Sequence, residues 1–235
     1  MTKLPFTHPI ALVTGAGRGI GAATAEALAE AGAHVILVAR TAGDLENVEE
    51  RIYQKGGSAT IAPMDITNLG SCRHLAASVA GRWPALDIMV LAAARFDPPT
   101  SVTDLSSSSL TQMLSVNAVA QQNLLSSFHS LLQKSASARV IGLTIPEDSS
   151  INAYGGGYRA SKRAMESLLL CYSAENEALN TIKLALAELK PVATDTRKRI
   201  FPDEDQNLLR SPKDAAEHII KLIKQDYKNG WQGII

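Results

Sequence analysis

Two groups of residues in this chain have the types and spacing to do chemistry. The first is Tyr158-Arg159-Ala160-Ser161-Lys162, a phenol and an ammonium four residues apart. On a helix that spacing puts both on one face. A lysine ammonium near a phenol favours the phenolate and brings the proton toward the range useful for general acid–base transfer. Alone, such a pair is commonplace, and an ordinary amphipathic helix explains it better. Its weight comes from the second group, Thr14-Gly15-Ala16-Gly17-Arg18-Gly19-Ile20-Gly21. Glycines there let the backbone turn sharply. They also let a pyrophosphate approach main-chain N–H groups at a helix N-terminus, where the dipole favours negative charge. A tight turn without a ligand is the bland reading. A strand before the turn and a helix after it argue for the nucleotide.

The elements that must position these groups alternate along the chain. Short β-branched runs are followed by longer helical ones, the pattern of βαβ units on a parallel sheet. Strands are predicted at Ile10–Val13, His34–Ala39, Ser58–Ala62, Leu86–Ala93, Arg139–Leu143 and Ile182–Ala187, with an edge strand at Gly230–Ile235. Helices are predicted at Ile20–Ala31, 42–55, 68–83, 107–133 and Tyr158–Leu179, and from Ser211-Pro212-Lys213-Asp214 to about Asp226. Serine can cap that last helix, proline suits its first position, and the acid favours its positive end. The expected fold class is α/β: a doubly wound parallel sheet of the Rossmann type in three α/β/α layers. It is read as one domain over 1–235 with a substrate lid at about 195–210.

The spacing Gly15-x-x-x-Gly19-x-Gly21 after Thr14, together with Tyr158-x-x-x-Lys162, resembles the short-chain dehydrogenase/reductase family over most of the chain. The resemblance implies an oxidoreductase passing hydride between a nicotinamide and a carbonyl or alcohol carbon. Tyr158 would donate the proton. Lys162 would tune it and hold the nicotinamide ribose, and Asn117 would support a water relay. The cofactor-binding set it implies is Thr14, Gly15, Gly17, Arg18, Gly19, Ile20, Gly21, Arg40, Asp65, Ile66, Ala92, Ala93, Tyr158, Lys162 and Thr194. Within that set Asp65 would meet the adenine and Thr194 the nicotinamide carboxamide. The residues also speak to the choice of dinucleotide. An NAD site carries an acid at the end of the second strand, whereas here Ala39 is followed by Arg40. Arginine cannot accept ribose hydroxyl protons but can hold a 2′-phosphate, with Arg18 assisting. The expected cofactor is therefore NADP(H). The stretch from Phe201 to Asp214 also resembles a bacterial subgroup, the YciK-type oxidoreductases of unassigned substrate.

Three positions depart from the family pattern. The serine expected thirteen residues before Tyr158 is Ile145, leaving Thr144, Ser149 or Ser150 to supply a hydroxyl. Asn-Asn-Ala-Gly after the fourth strand reads Leu91-Ala92-Ala93-Ala94, which removes the bracing asparagines. Pro-Gly after the sixth strand reads Leu189-Lys190. These departures keep open an alternative, a non-catalytic NADP(H)-binding sensor or scaffold derived from such a reductase.

Composition narrows the partners. The 235 residues balance 23 basic against 23 acidic side chains, so neither nucleic acid nor an anionic membrane is expected as a partner. No apolar run approaches a membrane span or a signal peptide, and the cytoplasm is the default location. Cys72 and Cys171 lack metal-ligand spacing and read as buried reduced thiols, with no metal expected. The family likeness implies a homodimer or homotetramer built on the two long helices.

Overall fold

The structure is a computed structural model that describes residue 6 and residues 8–147, 153–179 and 181–235. Strand β1 (Ile10–Thr14) is buried along its whole length, as a strand covered on both faces must be. β2 (His34–Ala39), β3 (Ser58–Pro63), β4 (Ile88–Leu91), β5 (Ala138–Thr144), β6 (Ile182–Glu188) and β7 (Trp231–Ile234) complete one sheet ordered β3-β2-β1-β4-β5-β6-β7. Every pairing is parallel. The winding reverses between β1 and β4, and in open sheets that reversal opens a crevice at the carboxyl ends of the strands.

Side chains alternate along each strand and feed two cores. Ala11, Val13, Val35 and Leu37 pack with α1 (Gly19–Glu30), α2 (Ala42–Gln54) and α8 (Pro212–Lys224). Leu12, Ile36 and Val38 face the other way, toward α3 (Leu69–Ala80), α5 (Ala120–Gln133) and α6 (Gly156–Glu175). Local chemistry fixes several helix starts. Asn68 caps α3 through the Ser71 N–H at 3.0 Å, and Ser106 caps α4 (Ser107–Leu114) through the Ser109 N–H at 3.1 Å. Ser211 and Asp214 form a reciprocal capping box at α8.

Three details differ from the sequence reading. The helix expected over 107–133 is interrupted by a π-helical turn at Ser115–Val119, joining α4 to α5. Such turns cluster at functional sites, and this one carries Asn117. β4 stops at Leu91 because the next N–H groups leave the ladder; that of Ala93 donates to Thr14 Oγ1 at 3.1 Å. Cys72 is buried as expected, but Cys171 is exposed. It stands outside the inward stripe of α6 formed by Lys162, Met165, Glu166, Leu169 and Ser173. The region 195–210 is a short helix, α7 (Asp195–Ile200), followed by a 3₁₀ turn at Gln206–Leu208. No helix among the described residues is long and apolar enough to cross a membrane.

Phe128 on α5 is fully buried among the second core. Phe128→Ala should cost about 3–5 kcal/mol of unfolding free energy in a urea titration followed by circular dichroism. A loss under about 1 kcal/mol would contradict the packing described.

Candidate functional site

A cleft of about 770 Å³ opens over the carboxyl ends of the strands and brings both chemical groups into one space. At one end lies the glycine turn. Gly15 takes a φ of +66°, and a Cβ there would come within 2.9 Å of Ala93 Cα. A Cβ on Gly21 would collide with the Gly15 carbonyl. The first turn of α1 therefore presses against the exit of β1, and that exit against the exit of β4. The N-cap of α1 is Arg18, which makes no side-chain cap, and the first turn contains no acid. Among the described residues nothing caps its leading N–H groups, which have the positive end of the dipole behind them.

Arg18 and Arg40 line the same end of the cleft, and both are exposed. Neither is held by an ion pair among the described residues. The charge of Arg40 reaches Asp65, whose carboxyl is held below its ordinary range first by the Thr67 N–H and then by the Thr67 hydroxyl and Arg40. Asp65 thus closes a small turn, while Asn68 caps the following helix. Ile66, Ala92, Ala93, Gly17 and Ile20 also line the cleft, and Thr194 lies over Gly19, where a Cβ would meet its methyl at 3.4 Å. Thr194 also caps α7 through the Arg197 N–H at 3.2 Å.

Tyr158 and Lys162 line the other end. The Lys162 ammonium is 5.8 Å from the centre of the Tyr158 ring and donates to the Leu143 carbonyl at 2.9 Å. Burial pulls Lys162 down to about 8, opposed by the charge of Glu166. Burial pushes the Tyr158 phenol up to about 12, opposed by Arg197. The expected lowering of the phenol by the lysine is therefore not what this arrangement produces, because desolvation outweighs it and the ammonium is committed to a carbonyl.

Two expected site residues stand behind the cleft wall. Asn117 is fully buried: its amide accepts from the Arg95 N–H at 2.7 Å and donates to the Arg95 carbonyl at 2.9 Å and to Ser161 Oγ at 2.8 Å. Ser161 in turn donates to the Tyr158 carbonyl at 2.7 Å. Asn117 therefore ties the loop after β4 to the start of α6, and its side chain has no contact with Lys162 in this network. Thr14 is also buried and braces Ala93, whose carbonyl accepts from Gln121 at 3.1 Å. Thr14 and Gln121 thus supply bracing that the sequence reading took to be absent after β4.

The missing serine is not replaced by Thr144. Its hydroxyl donates to the buried Glu166 carboxylate, which also pairs with Arg163 at 2.5 Å. Ile145 lines the cleft, while Ser149 and Ser150 lie outside the described residues. Sequence reasoning gave no part to Ser161, Gln121, Glu166 or Phe96. Only Ser161 had a local signal, since it sits inside the Tyr158–Lys162 motif. The others become visible once distant segments meet.

A parallel sheet that reverses its winding beside a glycine turn, with a tyrosine–lysine pair across the crevice, defines a nucleotide-binding α/β protein equipped for proton transfer. The chain belongs to the short chain dehydrogenase family, whose model matches residues 9–205. It is 28% identical over 224 residues to a fatty acyl-CoA reductase of Acinetobacter baylyi, covering 91% of this chain and 72% of that one. It spans 59% of the length of mycobacterial oxidoreductases that it also matches. Among solved structures, it is similar to a short chain dehydrogenase from Escherichia coli CFT073 complexed with NADPH, at 26% identity and a TM-score of 0.91. That match covers 100% of this chain and 99% of the other. The oxidoreductase yciK of E. coli matches at 26% identity and a TM-score of 0.90, with the same coverage.

Without any nucleotide, the phenolate absorbance lost in Tyr158→Phe should be absent at pH 10 and emerge toward about 12. An ultraviolet pH titration of the two proteins checks this. A Tyr158 phenolate already present at pH 8 would contradict the geometry.

Proposed function

We propose that this protein is an NADP(H)-dependent oxidoreductase interconverting a carbonyl compound and its alcohol. The observation that carries the reading is that one cleft joins an uncapped helix N-terminus and two arginines without an ion pair among the described residues to Tyr158 and Lys162. These residues fit a phosphorylated dinucleotide. The free N–H groups of the α1 turn would hold the pyrophosphate. Arg18 and Arg40 would hold the 2′-phosphate in a charge-assisted contact. Asp65 and Ile66 would bound the adenine, Ala92 and Ala93 would allow close approach, and Thr194 would orient the carboxamide. The relatives' NADPH complex supports this choice.

When bound, the cofactor supplies or accepts the hydride. In the reducing direction Tyr158 Oη gives its proton to the oxygen that becomes the alcohol, and bulk water reprotonates it. Lys162, as an ammonium below about pH 8, engages the ribose. Asn117 acts by holding Arg95 and, through Ser161, the first turn of α6. Ile145 leaves the developing oxyanion one donor short, which costs on the order of 3 kcal/mol, or 10²–10³ in rate.

The same reading takes the protein as one unit with 195–210 as its lid, acting on small molecules in the cytoplasm as a homodimer or homotetramer. The exposed apolar side chains Val119 and Leu168, beside α5 and on α6, support self-association there.

Fluorescence titration should show NADPH binding at least about tenfold more tightly than NADH, and Arg40→Asp should erase the gap. Equal affinities in the unmodified protein would refute the 2′-phosphate site. NADPH affinity should also weaken as pH rises through about 8, where Lys162 loses its charge, and that dependence should vanish in Lys162→Met. In NADPH oxidation with a panel of aldehydes, ketones and quinones, Tyr158→Phe should abolish turnover by at least about a hundredfold. Unchanged turnover would remove Tyr158 as proton donor.

A further inference from the structure

The cleft wall around the tyrosine has a feature that proton transfer does not require. Phe96, from the loop after β4, lies flat on the Tyr158 ring, with centroids 4.3 Å apart and planes 16° from parallel. Phe201, from the region after α7, meets Phe96 at 5.9 Å and 59°. One aromatic ring thus stands against the proton donor, and a second, from a separate segment, backs it.

Phe96 is held in place from both sides. Asn117 engages both backbone groups of Arg95, and Arg95 pairs with Asp97 at 2.8 Å. Asp97 also accepts from Ser109 on α4. Phe201 is held by the Arg197 guanidinium 4.7 Å over its ring, and Arg197 is fixed by a two-point pair to Glu204 at 2.5 and 2.7 Å. The cations nearest the two rings are therefore already neutralised, and Ile145 adds an alkyl surface where a hydroxyl was expected. Lys190 and Arg199, the other cations of this wall, are exposed.

Apolar surface is also exposed on the chain leading into α6. Tyr154 is 63% exposed and Val102 74% exposed. Their segments touch, since the Thr100 N–H donates to the Tyr154 carbonyl at 2.7 Å, and a Cβ on Gly156 would meet Val102 at 2.9 Å. Tyr154 keeps a φ of +63°, a conformation that costs free energy in a non-glycine residue and gathers at binding sites.

Resting on the reading of Tyr158 as proton donor, we propose that Phe96, backed by Phe201, selects the substrate together with Ile145, and that its class is a neutral carbonyl compound with a flat apolar body. Such a body packs against Phe96 and Ile145, with its carbonyl oxygen left for Tyr158. A small polyhydroxylated or phosphorylated carbonyl compound finds an aromatic ring and an alkyl side chain beside the proton donor, with the two nearest arginines, Arg95 and Arg197, already paired.

The test uses prodan, a neutral naphthyl ketone whose emission reports an apolar site, titrated into the full chain with and without NADP⁺. Saturable binding is expected, weakened about tenfold by Phe96→Ala, kept by Phe96→Tyr and undisturbed by excess dihydroxyacetone phosphate. Absence of saturable binding, equal binding to Phe96→Ala, or displacement by dihydroxyacetone phosphate would overturn the proposal. NADPH titration of the same samples separates the two readings. A chain that takes prodan but not NADPH keeps the aromatic wall and loses the dinucleotide site; one that takes NADPH but not prodan does the reverse. Unaltered NADPH affinity in Phe96→Ala shows that the variant is folded.

Discussion

The first turn of α1 carries N–H groups that no side chain among the described residues caps, and its residues line the cleft. The backbones at Gly15, Gly21 and Ala93 crowd one another so closely that no side chain could stand between them. A helix end packed this way is a standing site for an anion. Everything else in the cleft is arranged relative to it. The reversal of strand order opens the space, Arg18 and Arg40 extend its positive field outward, and β4 and β5 carry the wall across to Tyr158. A dinucleotide bridges such ends because its pyrophosphate needs one and its nicotinamide the other.

The second organising element is the set of bonds made by Asn117. Its amide ties the loop after β4 to the first turn of α6. The π-helical turn explains why an asparagine can stand there: the extra residue in the turn rotates its side chain inward between segments remote in sequence. The buried Lys162 and Tyr158 are poised differently from a simple ion-paired couple. Each is driven by desolvation toward its neutral form, which for Tyr158 is the form that donates a proton.

Much of this was legible in the residues. The apolar runs at Ile10–Val13 and His34–Ala39 announced buried strands, and Gly32 and Ser211-Pro212 punctuated the helices. The glycine turn and the Tyr158–Lys162 pair announced the two ends of the site because each depends on local spacing. What was not legible depends on contacts between distant segments. Asn117 and Thr14 were assigned to the site itself, yet they stand behind it, since only the fold shows that their polar atoms are consumed by Arg95, Ser161 and Ala93. Thr144 offered a hydroxyl that Glu166 takes. The bracing around Ala93 came from Gln121, twenty-eight residues away. The π turn left no mark in hydrophobic periodicity, because the buried positions Met113, Asn117, Gln121, Leu124 and Phe128 still recur at three- and four-residue spacing.

The central claim is that the uncapped turn of α1 is a pyrophosphate site with the nicotinamide end beside Tyr158. A crystal structure of the protein grown with NADP⁺ tests it most directly. The account predicts density for the pyrophosphate against the N–H groups of residues 19–21, the 2′-phosphate between Arg18 and Arg40, and the nicotinamide ring next to Tyr158. Nucleotide bound elsewhere, or a glycine turn left empty at saturating NADP⁺, would contradict it.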